Sequence, residues 1–179
     1  AVDGATAVLI THEHPDHAFA DHLRRTDAPI WTVAGVEKAL PDDVAERVTV
    51  VGAGDSIDVG FEVDVVGELH AVIHEELPRV DNSGYLLRVG DRRIFHPGDA
   101  LTGPGEDIDL LLLPVSAPWL KASECIDFAR RTAAPANLAI HDEVYSEAGL
   151  GIIDGHLERF LAPQQQGYRR LSPGEDWDN

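Results

Sequence analysis

Short apolar runs separated by polar, turn-rich segments recur along the whole chain. Runs of this kind, bounded by glycine, proline or aspartate, predict β-strands. Residues 84–89 and 93–96 flank the pair Gly90-Asp91, which indicates a β-hairpin. The other predicted strands are residues 5–10, 30–33, 48–51, 61–66, 109–113, 138–140 and 168–171.

Four segments have the spacing of an amphipathic helix, with apolar side chains three or four residues apart. They are residues 16–25, 36–40, 121–132 and 146–161, the last despite its three glycines. Strands and helices alternate through both halves of the chain. The pattern therefore predicts an α/β fold in which two sheets pack together with helices outside.

The length of 179 residues suits one domain with a sizeable core. We expect a single domain over residues 1–172 and a short acidic tail over residues 173–179. The one cysteine, Cys125, falls in a predicted helix, so we expect a buried, unreactive thiol and no intrachain disulfide.

The composition is strongly acidic. The chain has 32 acidic and 14 basic residues and a formal charge of −18, which repels polyanions. We therefore expect neither nucleic acid nor an anionic membrane as a partner. The apolar runs are far shorter than a membrane span, and the first residues lack a signal-peptide pattern, so we expect a cytoplasmic protein.

The segment 11–17, Thr-His-Glu-His-Pro-Asp-His, directly follows the first predicted strand. Neutral imidazole is a common ligand of zinc-like ions, and a loop leaving a buried strand can aim alternate side chains at one point. We interpret His12, His14, Asp16 and His17 as metal ligands rather than as an ordinary polar turn. Asp16 could instead be a helix N-cap, or it could also hydrogen-bond the attacking water as a catalytic residue.

Four more candidates stand where an apolar strand gives way to a loop, and strand ends of a layered α/β fold meet at one edge. They are His70, His74, Asp99 and His141. His70 and His74 compete for one ligand role, and we favour His70 because it lies closer to its strand; His74 would then contact substrate. Asp99 could be a simple turn residue, and His141 could cap the next helix.

These motifs resemble the metallo-β-lactamase superfamily over most of the chain, with His12, His14, Asp16 and His17 matching its His-x-His-x-Asp-His signature. The resemblance implies an αββα sandwich with one or two metals at the edge of its sheets. It assigns His12, His14 and His70 to one ion. It assigns Asp16, His17 and His141 to a second ion, with Asp99 bridging.

A narrower resemblance is to metal-dependent hydrolases similar to the ascorbate-6-phosphate lactonases. It rests on residues 67–74, 82–86, 96–99 and 117–121. Members of the superfamily normally have a β-rich segment before the signature, whereas this sequence reaches His12 at once. We therefore expect a first sheet that lacks the usual N-terminal strands, and a homo-oligomer is one way to cover it.

The remaining histidines and a few other polar residues receive weaker interpretations. His96 is interpreted as packed against the site but not as a ligand, and His22 and His156 as surface residues. The substrate-binding candidates besides His74 are Asn82, Trp119 and Lys121. Each also has a purely structural alternative: Asn82 as a turn residue, Trp119 as a core residue and Lys121 as a surface residue.

We therefore expect a hydrolase that uses a metal-bound hydroxide on a small ester, lactone or phosphate ester. The resemblance and the histidine-rich set favour one or two divalent ions, most naturally zinc, although carboxylate ligands also suit manganese or iron. The alternative is a non-catalytic metal-binding or scaffold domain of the same fold. The small-molecule substrate itself is not specified by any feature of the sequence.

Overall fold

The computed structural model describes residues 2–177, which form two β-sheets and five α-helices. The small sheet is parallel, with its strands in the order β1-β2-β3. Its strands are β1 (Val8–Leu9), β2 (Ile30–Thr32) and β3 (Val48–Val50), and helices α1 (Ala20–Leu23), α2 (Ala34–Ala39) and α3 (Asp42–Ala45) lie between them in the chain.

The large sheet has seven strands in the order β10-β9-β8-β7-β6-β5-β4. Neighbours from β4 to β7 are antiparallel, and neighbours from β7 to β10 are parallel. The strands are β4 (Ser56–Asp58), β5 (Glu62–Val66), β6 (Gly84–Val89), β7 (Arg92–His96), β8 (Leu110–Pro114), β9 (Ala136–Ile140) and β10 (Gly167–Arg169). Helix α4 (Ala122–Thr132) follows β8, and α5 (Glu147–Leu161) follows β9.

Three separate apolar clusters hold four layers together. Alternation along β6 sends Tyr85 to the cluster between the sheets and Leu86 to the cluster under α4 and α5. A third cluster packs the three short helices on the outer face of the small sheet, around Ile30 and Val36. The order of layers is therefore helix, sheet, sheet, helix, and the α/β sandwich predicted from the sequence is confirmed.

The Tyr85 hydroxyl joins the two sheets directly. Its oxygen lies 2.8 Å from the Ile10 carbonyl oxygen and 3.3 Å from that of Trp31, both on the small-sheet side. The side chain is 2% exposed, and burial raises the pKa of its hydroxyl. This contact fixes the end of β1 against β6, beside the loop that carries the histidine motif.

The helices of the structure differ from the predicted ones at two places. The helix predicted over residues 16–25 is reduced to α1, because residues 13–17 form turns in which the backbone N–H groups of His17 and Ala18 donate to the His14 carbonyl oxygen. Helix α3 was not predicted, and it is only four residues long. Segments this short carry too little periodicity to be detected.

Strand β4 was also missed, because it has one apolar residue, Ile57, between two polar ones. It exists through its antiparallel pairing with β5. Cys125 is fully buried in α4, as expected, and burial raises the pKa of its thiol to about 12.

The proposed division into residues 1–172 and a tail over 173–179 stays a prediction; residues 1, 178 and 179 lie outside the described part of the chain. Over residues 2–177, none of the helices is both long enough and apolar enough to pass through a membrane.

Candidate metal centre

The histidine-rich loop after β1 meets three other segments at one edge of the sandwich. These are the long loop between β5 and β6, the turn after β7, and the first residue after β9. Backbone hydrogen bonds fix the meeting point: Ser83 N–H donates to the Thr11 carbonyl oxygen at 2.9 Å, and Ala71 N–H donates to that of Asp99 at 2.7 Å. Strand ends from both sheets therefore bring distant candidate residues together at this edge.

His12, His14 and His70 form a first cluster whose candidate ligand atoms all lie within 4.8 Å of one another. The His12 Nε2 and His14 Nδ1 atoms are 3.1 Å apart. His12 and His70 are buried, with 0% and 1% of their surface exposed. Three imidazoles crowded at this distance match the coordination chemistry of a zinc-like ion.

Asp16, His17 and His141 form a second cluster that satisfies the same distance limit. Asp16 Oδ2 lies 3.5 Å from His17 Nε2 and 3.8 Å from His141 Nε2. The Asp16 side chain is 63% exposed, so it stands at the entrance while the two imidazoles stand deeper.

The Asp99 carboxylate lies between the two clusters. Its Oδ2 atom is 3.5 Å from His70 Nε2 and 3.2 Å from His141 Nε2, and its Oδ1 atom is 3.6 Å from His17 Nε2. A carboxylate that reaches both sides in this way has the placement of a bridging ligand. It also forms a third ligand group with His12 and His17.

Hydrogen bonds to main-chain carbonyls orient two of the imidazoles. His70 Nδ1 lies 2.6 Å from the Ala71 carbonyl oxygen, and His141 Nδ1 lies 2.5 Å from that of Ser116. Because a carbonyl only accepts, each contact places a proton on Nδ1, and in the neutral ring it leaves the Nε2 lone pair free for an ion.

His70 Nε2 is buried and has no hydrogen-bond partner among the described residues. A buried polar atom without a partner costs free energy unless something outside the chain satisfies it. Its position between His12, His14 and Asp99 makes a divalent cation the natural partner. The residues present therefore fit the metal that this kind of site holds.

The electrostatics of the cluster favour neutral ligands at its buried side. Burial, followed by the nearby His17, lowers the pKa of His12 to about 3, and burial also lowers the pKa of His17. Burial opposes ionisation of Asp99, but the neighbouring imidazoles of His141 and His70 outweigh it and hold the Asp99 pKa well below its usual range. The hydrogen bond to Asp99 raises the pKa of His141 to about 9.

His141 is held in a strained backbone conformation, with φ at +57°. Such conformations cost about 1–3 kcal/mol and persist where the surroundings impose them. Here Ser116 imposes it from both sides: its hydroxyl donates to the His141 carbonyl oxygen at 2.6 Å, and its own carbonyl accepts from His141 Nδ1. The sequence interpretation missed Ser116, although it follows the apolar strand β8 as the predicted ligands follow theirs.

Asn82 is not among the residues that line the cleft, and its predicted contact with substrate stays a prediction. It is 1% exposed, its Oδ1 accepts the Asp99 N–H at 3.0 Å, and its Nδ2 donates to the Pro97 carbonyl oxygen at 3.0 Å. Both ends of the amide are occupied in shaping the turn that presents Asp99. Gly98 is required in that turn, because its φ is +65° and a Cβ there would lie 2.2 Å from Asn82 Oδ1.

Trp119, a substrate-binding candidate for which a core role was the alternative, lies in the interior. It is 8% exposed, its Nε1 donates to Asp99 Oδ2 at 3.0 Å, and its ring meets the His70 ring edge-on. It therefore positions the carboxylate between the clusters.

His74 and Lys121 stay outside the clusters. His74 is exposed, and its Nδ1 accepts the Glu76 N–H at 3.2 Å. Lys121 begins α4 as its N-cap, and its Nζ lies 3.4 Å from Glu124 Oε1. Neither contact gives support to the predicted substrate role.

Arg79 is a further residue that the sequence did not single out. Its Nε donates to the His70 carbonyl oxygen at 2.7 Å, so it steadies the backbone of a candidate ligand. Nothing in the sequence signals this role, because the contact depends on how the 66–83 loop folds back on itself.

An open cleft of about 280 Å³ adjoins the second cluster. It is lined by Asp16, His17, His96, Asp99, Ile140, His141, Asp142, Glu143 and Val144. A much smaller cavity of about 10 Å³ lies beside His14 and His70, under the loop between β5 and β6. The larger cleft is therefore the space in which a small molecule can approach the second cluster and Asp99.

Comparison with known proteins agrees with this geometry. A family model described as a beta-lactamase superfamily domain matches residues 2–141. Protein Rv0786c of Mycobacterium tuberculosis is 37% identical over 163 residues, covering 87% of this chain and 76% of that protein. A UPF0173 metal-dependent hydrolase of Pyrobaculum calidifontis is 29% identical over 126 residues, covering 63% of this chain and 53% of the relative.

Among solved structures, a metallo hydrolase from the archaeon Ignicoccus hospitalis superposes with a TM-score of 0.68 at 16% identity, covering 96% of this chain and 78% of that one. The chain belongs to the metallo-β-lactamase superfamily. Its fold, its histidine and aspartate site and its relatives named as metal-dependent hydrolases support a metallo-hydrolase of that superfamily. The narrower similarity to ascorbate-6-phosphate lactonases stays a prediction.

Proposed function

We propose that the protein hydrolyses a small ester, lactone or phosphate ester with the help of two divalent ions, most naturally zinc. The observation that carries this proposal is the convergence of seven candidate ligands in three overlapping groups, one of which contains the partnerless, buried His70 Nε2. One tetrahedral site uses four ligands, so seven side chains exceed the needs of a single ion.

One ion would be held by His12, His14 and His70. The other would be held by Asp16, His17 and His141, and Asp99 would be a ligand of both ions. Ions bound there lower the pKa of a coordinated water and polarise the scissile bond. The chain contributes rigidity, since Ala71, Ser116 and Trp119 hold the ligands from behind.

Asp16 is the residue suited to handle the proton of the attacking water. Three candidate ligands, Asp16, His17 and His141, both line the cleft and form the second cluster. The Asp16 side chain is the most exposed of the three, at 63%. A carboxylate at that place accepts a hydrogen bond from water and orients its lone pair towards the substrate.

The charge around the cleft bears on substrate class. Asp16, Asp142 and Glu143 line the cleft, whereas none of its described lining residues is lysine or arginine. An anionic phosphate ester would meet these carboxylates as well as the ions, and an uncharged ester or lactone would not. We therefore place uncharged esters and lactones ahead of phosphate esters.

The test is a hydrolysis assay on the purified chain with and without metal. Chelator-treated protein is reloaded with zinc, manganese or iron and given 4-nitrophenyl acetate, γ-butyrolactone or bis(4-nitrophenyl) phosphate. We expect activity to return with metal and to be abolished in His12→Ala. The exposed His22→Ala variant is the matched control and retains activity.

Full metal content without hydrolysis of any of the three substrates would contradict the enzymatic proposal. It would favour the alternative, a metal-binding or scaffold domain of the same fold. Elemental analysis of the same sample separates this outcome from a simple failure to load metal.

A further inference from the structure

His96 ends strand β7 and lies in the cleft without belonging to any ligand cluster. Its ring lines the same wall as Asp16, His17 and Asp99. The sequence interpretation treated it as a packed neighbour of the site. Its hydrogen bonding indicates a more specific role.

One ring nitrogen of His96 is already committed to the backbone. The Gly98 N–H donates to His96 Nδ1 at 3.0 Å, so Nδ1 carries a lone pair and Nε2 carries the proton. Within residues 2–177 no protein group accepts a hydrogen bond from His96 Nε2. The ring therefore offers an unused N–H donor at the wall of the cleft.

The other polar groups around the cleft have the opposite character. The carboxylates among them accept hydrogen bonds when ionised; they are Asp16, Asp99, Asp142 and Glu143. His17 and His141 belong to the candidate ligand clusters. The carbonyl oxygen of an ester becomes negatively charged when water adds to its carbon. A fixed N–H donor near that oxygen stabilises the charge at no cost of reorganisation.

We infer that His96 is a catalytic residue that donates a hydrogen bond from Nε2 to the substrate carbonyl oxygen as it gains negative charge. This inference rests on the proposed hydrolytic function. In the step, the oxygen of water bonds to the carbonyl carbon and one water proton passes to Asp16. The bond to the leaving oxygen then breaks, and that oxygen takes the proton. His96 keeps its own proton throughout.

The turn bond of His96 can be separated from its donor role by substitution. In His96→Asn, the side-chain Oδ1 stands two residues before Gly98 and can accept the same N–H, as in an Asx-turn. The shorter side chain no longer extends an N–H into the cleft. His96→Phe removes the turn bond and the donor together.

In the zinc-loaded protein with 4-nitrophenyl acetate, we expect His96→Asn to keep full zinc content and a KM within about threefold of wild type. Its kcat falls about 100-fold, the usual effect of removing one such donor. His96→Phe should lose part of its zinc as well, because it removes one of the hydrogen bonds that hold the turn presenting Asp99. Wild-type kcat in His96→Asn would reduce His96 to a turn residue and overturn the inference.

A measurement independent of turnover separates this inference from the proposed function. Nitrogen NMR of selectively labelled histidine reports the tautomer of His96, which must be protonated on Nε2. Acetate added to the zinc-loaded protein should shift the Nε2 resonance of wild type. A proton on Nδ1, or an unchanged Nε2 resonance, would overturn the inference even where hydrolysis is confirmed. A shifted resonance in a protein that hydrolyses no ester would uphold the His96 contact and reject the enzymatic proposal.

Discussion

At the scale of single residues, the site depends on contacts made behind the candidate ligands. His70 and His141 each give one nitrogen to a main-chain carbonyl, and Asp99 receives the Trp119 indole N–H. Supporting contacts of this kind fix the orientation of the ligands, and losing one commonly lowers metal affinity by about 10- to 100-fold. Two predictions follow from the Asp99 environment.

Asp99→Ala should release at least one ion and reduce activity while leaving the fold intact. The substitution removes the carboxylate that would offset the positive charge of ions in both clusters. That carboxylate lies 3.5 Å from His70 Nε2 and 3.2 Å from His141 Nε2. Metal content by elemental analysis and circular dichroism check the result. Asp127→Ala, an exposed position on α4, is the control. Full metal content and normal turnover in Asp99→Ala would return Asp99 to a simple turn role.

Trp119→Phe should weaken metal binding by about tenfold through loss of one supporting hydrogen bond. Phenylalanine retains most of the apolar contact with the cluster under α4 and α5, so thermal stability of the metal-free protein should change little. Zinc affinity is measured by competition with a chromogenic chelator. Unchanged affinity would mean that Asn82 and the turn hold Asp99 without the indole.

At the scale of elements, the important contact is between β6 and the end of β1. The Tyr85 hydroxyl crosses from one sheet to the other, and the loop after β1 begins the ligand series two residues beyond Ile10. The two sheets pack through a small apolar cluster, so one buried hydrogen bond between them contributes noticeably to how they are aligned. The same contact links stability to the position of His12.

Tyr85→Phe should lower the free energy of unfolding by about 1 kcal/mol, the usual net value of one buried hydrogen bond. The Ile10 carbonyl still accepts from the Thr32 hydroxyl at 2.9 Å, which limits the loss. For a chain of this length the melting temperature should fall by about 2–4 °C. Tyr145→Phe is the matched control, because its hydroxyl has no hydrogen bond within the described residues. Equal melting temperatures for the two variants would contradict the role assigned to Tyr85.

At the scale of the whole molecule, the metal should act as part of the fold. The candidate ligands lie in four loop segments, which follow strands of both sheets. An ion bound by them would therefore link the two sheets. Without an ion, His70 Nε2 stays buried without a partner. The expected homo-oligomer and cytoplasmic location remain predictions at this scale.

Removal of metal should lower the melting temperature without unfolding the protein at room temperature. Binding to the folded state alone stabilises by about 2.7 kcal/mol when free metal is 100 times the dissociation constant. That corresponds to roughly 5–10 °C for a chain of this length. Differential scanning calorimetry of chelated and zinc-reloaded samples measures the shift, and His12→Ala, which removes one ligand of the first cluster, should show a smaller shift. A melting temperature insensitive to zinc would contradict a site that spans both sheets.

The sequence by itself determined the layered α/β class, most strand positions and the identity of the candidate ligands. These features depend on residues that are close in sequence. Apolar alternation indicates strands, and a dense histidine motif after the first strand indicates metal binding. The helices over 121–132 and 146–161 were placed within a residue or two for the same reason. Short elements such as α3 and β4 carried too little pattern to be found.

Only the tertiary structure decided how the candidate ligands are supported and what the neighbouring residues do. Asn82 and Trp119 proved to hold Asp99 from the interior, and Ser116 proved to clamp His141. These roles depend on contacts between residues 17 to 25 positions apart, and a sequence read along its length gives no sign of which distant atoms meet. Residue type decided which side chains could be ligands, and the packing of the two sheets decided which of these candidates lie together.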